Sequence, residues 1–386
     1  MSSQNTQKKI AILYDCPYPF VVGGGQKRLY EIATRLIRQE EFSVDWYSLQ
    51  FWEGEKEIEY EGIRFFGIGK KTDLYEAKTG KRRIREALEY SIRIFPNKEL
   101  FSYDIILAGQ WPLLHLFPLF FYSKLGRARF FVDWWEVWQE EWIRYSGIKG
   151  VLGMILERIC CRLPDEIICI SETGKLQLET IGASSRKLHI IHNGIDFTKI
   201  QQSPPSNEVS DLIYLGRLQQ HKNVIDLIYL IAILKKKYQM SMTLQIIGDG
   251  PERSVLENEA RNLQIDSQVR FLGEIESDEE VYSRMKSAKL FVHPSTKEGG
   301  GSIVSLEANA CGLPVVAYTH PHGISSELLE EGLNGYWVDG CNPESLAEKI
   351  VTIMENKDYA LVSQRCIQYA KEFDWNNIIK LYKDLF

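Results

Sequence analysis

The stretch Lys297–Cys311, KEGGGSIVSLEANAC, concentrates residue types that can do chemistry. It lies between an apolar run that reads as a strand and a segment of helical period. Three successive glycines let a backbone come close to a ligand, and the N–H groups that open a helix favour an anionic or hydroxyl-rich group. Gly300, Gly301, Ser302 and Ile303 are the expected backbone donors. Glu298 enters the loop and Glu307 lies in the helix, so two carboxylates can accept hydrogen bonds from vicinal hydroxyls of one ligand. The stretch reads as a phosphate or sugar cradle, the plainer alternative being a packing turn flanked by solvated glutamates.

A second cluster is Leu215–Asn223, LGRLQQHKN. Gly216 and Arg217 lie just past a strand end, and Lys222 lies just before or at the start of the following helix. Two cations at such a mouth neutralise a diphosphate, and stabilise the charge that grows as it departs in a group transfer. A pair of surface cations is the other reading. Ile247–Pro251, IGDGP, is a further strand-loop-helix turn in which Gly248 and Gly250 are candidate ligand contacts and Pro251 suits the first helical position. Val21–Gly25, VVGGG, precedes a helix expected near Gln26. Gly24 and Gly25 are its candidate acceptor or phosphate contacts, with a plain hinge as the alternative. It lacks G-x-G-x-x-G spacing, so no dinucleotide fingerprint is read there.

The elements that must position these loops alternate, short apolar runs with longer helical stretches, which is the pattern of parallel sheets covered on both faces. One series has strands at Ile10–Tyr14, Ser43–Leu49, Asp104–Leu107, Arg129–Val132, Glu166–Ile170 and His189–Ile191, with helices from about Gln26, Asp73, Leu113, Glu136 and Ser171. A polar stretch, Gln201–Ser210, reads as a linker. A fresh series has strands at Asp211–Leu215, Met242–Ile247, Val269–Leu272, Leu290–His293, Pro314–Tyr318 and Gly335–Val338. The expected domains are residues 1–200, completed by a closing helix at 373–386, and residues 201–372. Each is a doubly wound α/β unit, and the cleft where the two face each other is the expected place for ligands.

Length and composition agree: 386 residues, 44% hydrophobic and 25% charged, make an ordinary globular chain of more than one domain. A formal charge of -6 argues against a general nucleic-acid binder. No apolar run is long enough to span a bilayer, and the N-terminus reads as a first strand rather than a signal peptide, so a cytoplasmic location is expected. Seven cysteines without a C-x-x-C pair suggest reduced thiols rather than disulfides or zinc. Seven of the nine tryptophans fall between Trp46 and Trp142.

The combination of GRL with Lys222, GDGP, EGGGSIVSLEANACGLPVVA, IHNGID at Ile191–Asp196 and a closing helix after Asp374-Trp375 resembles the family 4 glycosyltransferases of the GT-B fold. The likeness is strong from about Glu166 to Asp339 and looser before it. It implies retaining transfer of a sugar from a nucleotide diphosphate sugar, with two Rossmann-like domains. It also implies that Arg217 and Lys222 hold the diphosphate, Glu307 the ribose hydroxyls and Glu298 the donor sugar, with Gly300–Ile303 as backbone donors. Two departures stand out. The family spaces its glutamates eight apart, whereas Glu298 and Glu307 are nine apart, so either the loop bulges at the glycines or Glu298 is not equivalent. Many members also carry a His after a central strand of the first domain, where this chain reads VDWWEVW at Val132–Trp138. Asp133, Trp135 and Glu136 are the candidates for that place, and Trp135 could stack an acceptor sugar. Trp134, Trp138 and Trp142, four apart, read as one helical face.

No two aspartates are two apart, so no D-x-D pair is present and no metal is expected. His320 and His322 read as loop histidines. The donor itself is the substrate, and no separate cofactor is implied. The acceptor is expected to be a glycan or a lipid-linked carrier, in assembly of cell-surface polysaccharide, glycolipid or glycoprotein glycan. Lys70–Lys98 carries nine Lys or Arg against four acids, a net of +5, with Leu88, Ile92 and Phe95 spaced for one apolar face. That reads either as a solvated basic helix or as peripheral contact with anionic lipid at the inner membrane face. Competing functions are a non-catalytic sugar-nucleotide-binding subunit and a GT-B-like sugar-nucleotide epimerase.

Overall fold

The computed structural model describes residues 7–74, 82–355 and 359–386. The chain divides into two compact units, Met1–His192 with Ile378–Phe386, and Asn193–Asn377. Each is built on its own sheet.

The first unit has strands β1 (Lys8–Leu13), β2 (Phe42–Gln50), β3 (Glu57–Tyr60), β4 (Ile63–Lys70), β5 (Ile105–Gly109), β6 (Arg129–Trp134), β7 (Glu166–Cys169) and β8 (Leu188–Ile190). Its helices are α1 (Gly24–Ile37), α2 (Ile84–Ile94), α3 (Leu116–Leu125), α4 (Glu141–Ser146), α5 (Gly150–Cys160) and α6 (Glu172–Ile181). The sheet order is β3-β4-β2-β1-β5-β6-β7-β8, parallel except that β3 pairs antiparallel with β4. The order reverses between β1 and β5. Tyr90 and Ile94 of α2, Leu116 and Leu119 of α3, Cys160 of α5 and Leu178 of α6 share one core with the sheet. Right-handed crossovers put those helices on one face.

The second unit contains α7 (Phe197–Gln202), β9 (Leu212–Leu215), α8 (Val224–Lys237), β10 (Leu244–Ile247), α9 (Arg253–Asn262), β11 (Val269–Gly273), α10 (Asp278–Met285), β12 (Leu290–His293), α11 (Ile303–Ala310), β13 (Val315–Tyr318) and β14 (Gly335–Val338). Then follow α12 (Pro343–Glu355), α13 (Tyr359–Lys371) and α14 (Trp375–Leu385), the last of which belongs to the first unit from Ile378 onward. The all-parallel order is β11-β10-β9-β12-β13-β14. Here the order reverses between β9 and β12. In an open α/β sheet that is where two adjacent strands send their connections to opposite faces, leaving a crevice at their carboxyl ends.

Some local expectations shift. The β3–β4 hairpin has no counterpart in the strands read from the sequence, because EIEY is polar and three of its four residues are exposed at the sheet edge. The helix expected near Asp73 begins at Ile84 among the described residues, and the one expected near Glu136 begins at Glu141. The tryptophan face is therefore not helical: Trp134 ends β6, Trp138 is in the following loop and Trp142 is in α4. Tertiary packing joins two of them to Trp111 instead, with ring centroids 5.1 and 5.4 Å away. Gln201–Ser210 is bound along α10 and its end: Ser206 N–H donates to Ser283 O at 3.0 Å, and Ser210 N–H to Ser287 O at 3.1 Å. Its backbone bonds make it part of the second unit rather than a free linker.

Candidate functional site

Adjacency of β9 and β12 brings together residues that are 76 positions apart in the chain. After β9 the chain passes Gly216 and Arg217 and makes a 3-10 turn at Gln220–Lys222. Asn223 then takes a left-handed conformation and opens α8. Its side-chain amide donates to Pro294 O at 3.1 Å, and Thr296 N–H donates to His221 O at 3.1 Å. These bonds stitch the loop after β9 to the loop after β12.

The result is a charge cluster. Lys222 Nζ lies 2.5 Å from Glu298 Oε1, and both side chains are mostly buried. His293, the last residue of β12, is buried and puts Nε2 2.9 Å from the same oxygen, off the line of a hydrogen bond. Burial pushes the Glu298 carboxyl up, but the His293 imidazole and the Lys222 ammonium outweigh it and hold the group well below the usual carboxylate range. Glu298 is therefore an anion here. Arg217 is exposed, and its guanidinium has no partner among the described residues.

From Glu298 the loop turns through Gly299 and Gly300 at φ of +58° and +86°, left-handed values that glycine takes cheaply. Glu298 N–H donates to His322 O at 2.7 Å and Ser325 N–H to Gly300 O at 3.0 Å, which anchors the loop to the connection after β13. Ser302 caps α11 through its side chain, which accepts from Ser305 N–H. The backbone N–H groups of Gly301, Ser302 and Ile303 donate to nothing among the described residues. Such unpaired donors at a helix N-terminus carry a partial positive charge that suits an anion. Within α11, Glu307 is half-buried and accepts from Tyr282 Oη–H at 3.0 Å.

Gly248 and Gly250 lie where two loops pack closely. A Cβ on Gly248 would fall 2.1 Å from Gly216 O, and one on Gly250 would fall 2.4 Å from Leu218 O. Leu218 N–H donates to Asp249 O at 2.9 Å. Close packing of these two loops on each other accounts for both glycines, and Gly216 is the backbone against which Gly248 packs.

In the first unit, Asp133 ends up away from any surface. It is fully buried and pairs with Arg28 Nε at 3.1 Å, while accepting from Tyr382 Oη–H at 2.6 Å and Trp135 Nε1–H at 3.0 Å. The Arg28 guanidinium also donates to Ile191 O at 2.8 Å and His192 O at 2.9 Å. Asp133 is thus a structural acceptor, and the expectation of a catalytic role for it is corrected: no oxygen is left to meet a substrate. Glu136 is half-buried on a loop that Gln110 clamps, its amide accepting from Trp135 N–H at 2.6 Å and Glu136 N–H at 2.9 Å. Trp135 stands edge-on to Tyr14 at 5.4 Å and fills the space beside Gly25, where a Cβ would fall 2.3 Å from its ring. That contact accounts for Gly25, while Gly24 faces open space.

Sequence reasoning missed His293 and Arg28. A lone His ending an apolar strand and an Arg inside a helix carry no motif. Topology alone pairs them with Glu298 and Asp133.

A family model described as Glycosyltransferase Family 4 matches residues 22–199, and one described as Glycosyl transferases group 1 matches residues 196–373. Together the two models run through both units. The chain belongs to glycosyltransferase family 4. Among curated relatives, an uncharacterized glycosyltransferase of Methanocaldococcus jannaschii is 25% identical over 254 residues, which is 62% of this chain and 64% of that protein. The match thus spans less than two thirds of that relative's length. Among solved structures, sucrose-phosphate synthase from Thermosynechococcus elongatus superposes with a TM-score of 0.76 at 17% identity, covering 98% of this chain and 99% of that one. Anabaena HepE in complex with UDP-glucose gives a TM-score of 0.72 at 20% identity, covering 98% of each chain. The fold of this family 4 member is GT-B.

Among the described residues, no helix is long and apolar enough to cross a membrane, and no group of three or more His, Cys, Asp or Glu could hold a metal ion.

Proposed function

We propose that this chain is a retaining glycosyltransferase that moves a hexose-like unit from a nucleotide diphosphate sugar to a hydroxyl of a glycan or lipid-linked acceptor, for assembly of cell-surface polysaccharide, glycolipid or glycoprotein glycan. The observation that carries this reading is the Lys222–Glu298 pair beside the unpaired N–H groups that open α11, at the reversal point of the second sheet. Lys222 and Arg217 neutralise the diphosphate, and the α11 N-terminus adds backbone donors. Glu307 accepts from the ribose hydroxyls and Glu298 from the donor sugar. His293 keeps Glu298 in place when Lys222 turns to the diphosphate.

In the proposed step the bond from the anomeric carbon to the phosphate oxygen breaks. The acceptor oxygen bonds to the same face of that carbon, and its proton passes to the departing phosphate oxygen. No protein nucleophile is required, and no divalent ion is needed for charge that Arg217, Lys222 and the helix terminus already balance. Glu136 remains the candidate for a side chain near the reacting carbon.

UDP-glucose is the first donor to try, because the structurally similar HepE is seen in complex with it. A donor that binds only the folded chain raises its unfolding temperature. A panel of nucleotide sugars read by thermal shift and by hydrolysis, with and without EDTA, tests the assignment. Turnover that depends on Lys222, survives EDTA and retains the anomeric configuration is the expected result. A donor that binds without ever being hydrolysed or transferred would mark a binding subunit, and an inverted product would refute the retaining step.

A further inference from the structure

A surface helix normally carries one apolar stripe, turned to the core. In the first unit three helices carry two. On α2, Tyr90 and Ile94 are buried, while Ile84, Leu88 and Ile92, spaced four apart, stay exposed. On α3, Leu116 and Leu119 are buried while Phe117, Phe121 and Leu125 are exposed, again four apart. On α5, Cys160 is buried while Leu152, Ile155 and Ile159 are exposed. Just before α5, Ile148 is 92% exposed.

The stripes adjoin one another. All three helices pack on the same face of the sheet. The Phe95 ring at the end of α2 lies 6.4 Å from that of Phe121, and the backbone N–H of Arg82 at the start of α2 donates to Tyr145 Oη of α4. An apolar surface of this kind on a lone chain marks an interaction site.

Charge identifies the partner. Residues 82–98 carry five cations and two acids, residues 116–129 three cations and no acid, and residues 141–162 four cations and two acids. The acids Glu86 and Glu157 are buried, and Arg82 turns inward to Asp15. Outside, Arg85, Lys98, Arg127 and Lys149 are exposed, and their charged ends have no partner among the described residues. Each apolar stripe is thus flanked by a free cation, in a chain whose formal charge is -6.

We propose that the outward faces of α2, α3 and the α4–α5 pair form a single surface that lies on an anionic lipid bilayer. The apolar stripes enter the boundary between headgroups and acyl chains, and the cations meet lipid phosphates. This extends the basic stretch Lys70–Lys98, of which Lys78 and Lys81 lie outside the described residues, to two further helices. It takes its purpose from the lipid-linked acceptor proposed above, but not its existence.

The test is co-sedimentation of the whole chain with vesicles of phosphatidylcholine alone and of phosphatidylcholine mixed with phosphatidylglycerol. Partitioning should be roughly a hundredfold stronger on the anionic vesicles and fall as NaCl rises from ~0.05 M to ~0.5 M. Ile92→Asp on α2 and Leu152→Asp on α5 should each weaken it by at least about tenfold, with the unfolding temperature and donor hydrolysis in solution unchanged. Loss with Ile92→Asp but not with Leu152→Asp would overturn the three-helix surface. So would absence of vesicle binding, whether the chain stays monomeric or self-associates in a way the same substitutions abolish. A chain that binds vesicles as described yet turns over no nucleotide sugar would sink the transfer reading and leave this surface standing.

Discussion

The buried polar cluster of the first unit and the charge cluster of the second are both built from residues distant in sequence, yet they are finished to different degrees. Around Asp133 every group is partnered: Arg28, Tyr382 and Trp135 saturate the carboxylate, and the guanidinium also donates to Tyr382 Oη and to two backbone carbonyls. Around Glu298 the pairing is incomplete. His293 has a nitrogen in range but out of line, Arg217 has no partner among the described residues, and three N–H groups at the start of α11 point to none. A closed network rigidifies a core. An open one, partly exposed and with surplus positive charge, leaves its last bonds for a ligand.

Removing Lys222 should separate these two kinds of cluster most sharply. Lys222→Ala is expected to lower turnover by about a thousandfold, as loss of a charge stabilising the leaving group does, with circular dichroism unchanged. Turnover at the full rate would break the assignment.

Arg28→Ala should do the reverse. It leaves Asp133 buried without its cation, so denaturant unfolding should show a loss of about 3–5 kcal/mol, while turnover per folded molecule changes far less than with Lys222→Ala. A large catalytic loss without destabilisation would return Asp133 to the list of catalytic candidates.

Acid provides a third contrast. Glu298 is held below the ordinary carboxylate range, so the stability it contributes is fully present above the unfolded value near 4.5 and is lost only as pH falls through its lower folded value. Glu298→Gln should therefore be less stable than the parent at neutral pH, and the gap should close in acid denaturation below about pH 4. A gap that widened on acidification would mean that the carboxylate is not ionised by its neighbours.

The smallest effect is expected at Ser302. Its hydroxyl caps α11 while its backbone N–H faces the candidate ligand site, so Ser302→Ala should cost about 1 kcal/mol in thermal unfolding and reduce turnover much less than Lys222→Ala. A thousandfold loss there would shift the weight from backbone donors to the side chain.

Much of the candidate site could be read from the chain directly. The Gly299–Gly301 run, the cap at Ser302 and the position of Lys222 before a helix are local matters, governed by backbone conformation and orphan N–H groups within a few residues. The packing of GDGP is not legible in this way: its glycines lie against Gly216 O and Leu218 O, atoms about thirty residues away whose approach no local rule reveals. The tryptophans at 134, 138 and 142 show the same limit, since a spacing of four is consistent with a helix but does not require one when the first of them ends a parallel strand.

Alone, the sequence determined the alternation of strands and helices, the two-unit plan, the family and the loops where chemistry is expected, because periodicity, glycine placement and capping act over short spans. Tertiary structure decided which loops meet. Adjacency of β9 and β12 pairs Lys222 with Glu298 and supplies His293, and the packing of α1, β6 and α14 closes Arg28, Asp133 and Tyr382 into one buried unit. It also decided that the second apolar stripe of α2, α3 and α5 faces outward. Periodicity reports that a stripe exists, but only the sheet beneath the helix fixes which side is left to the solvent.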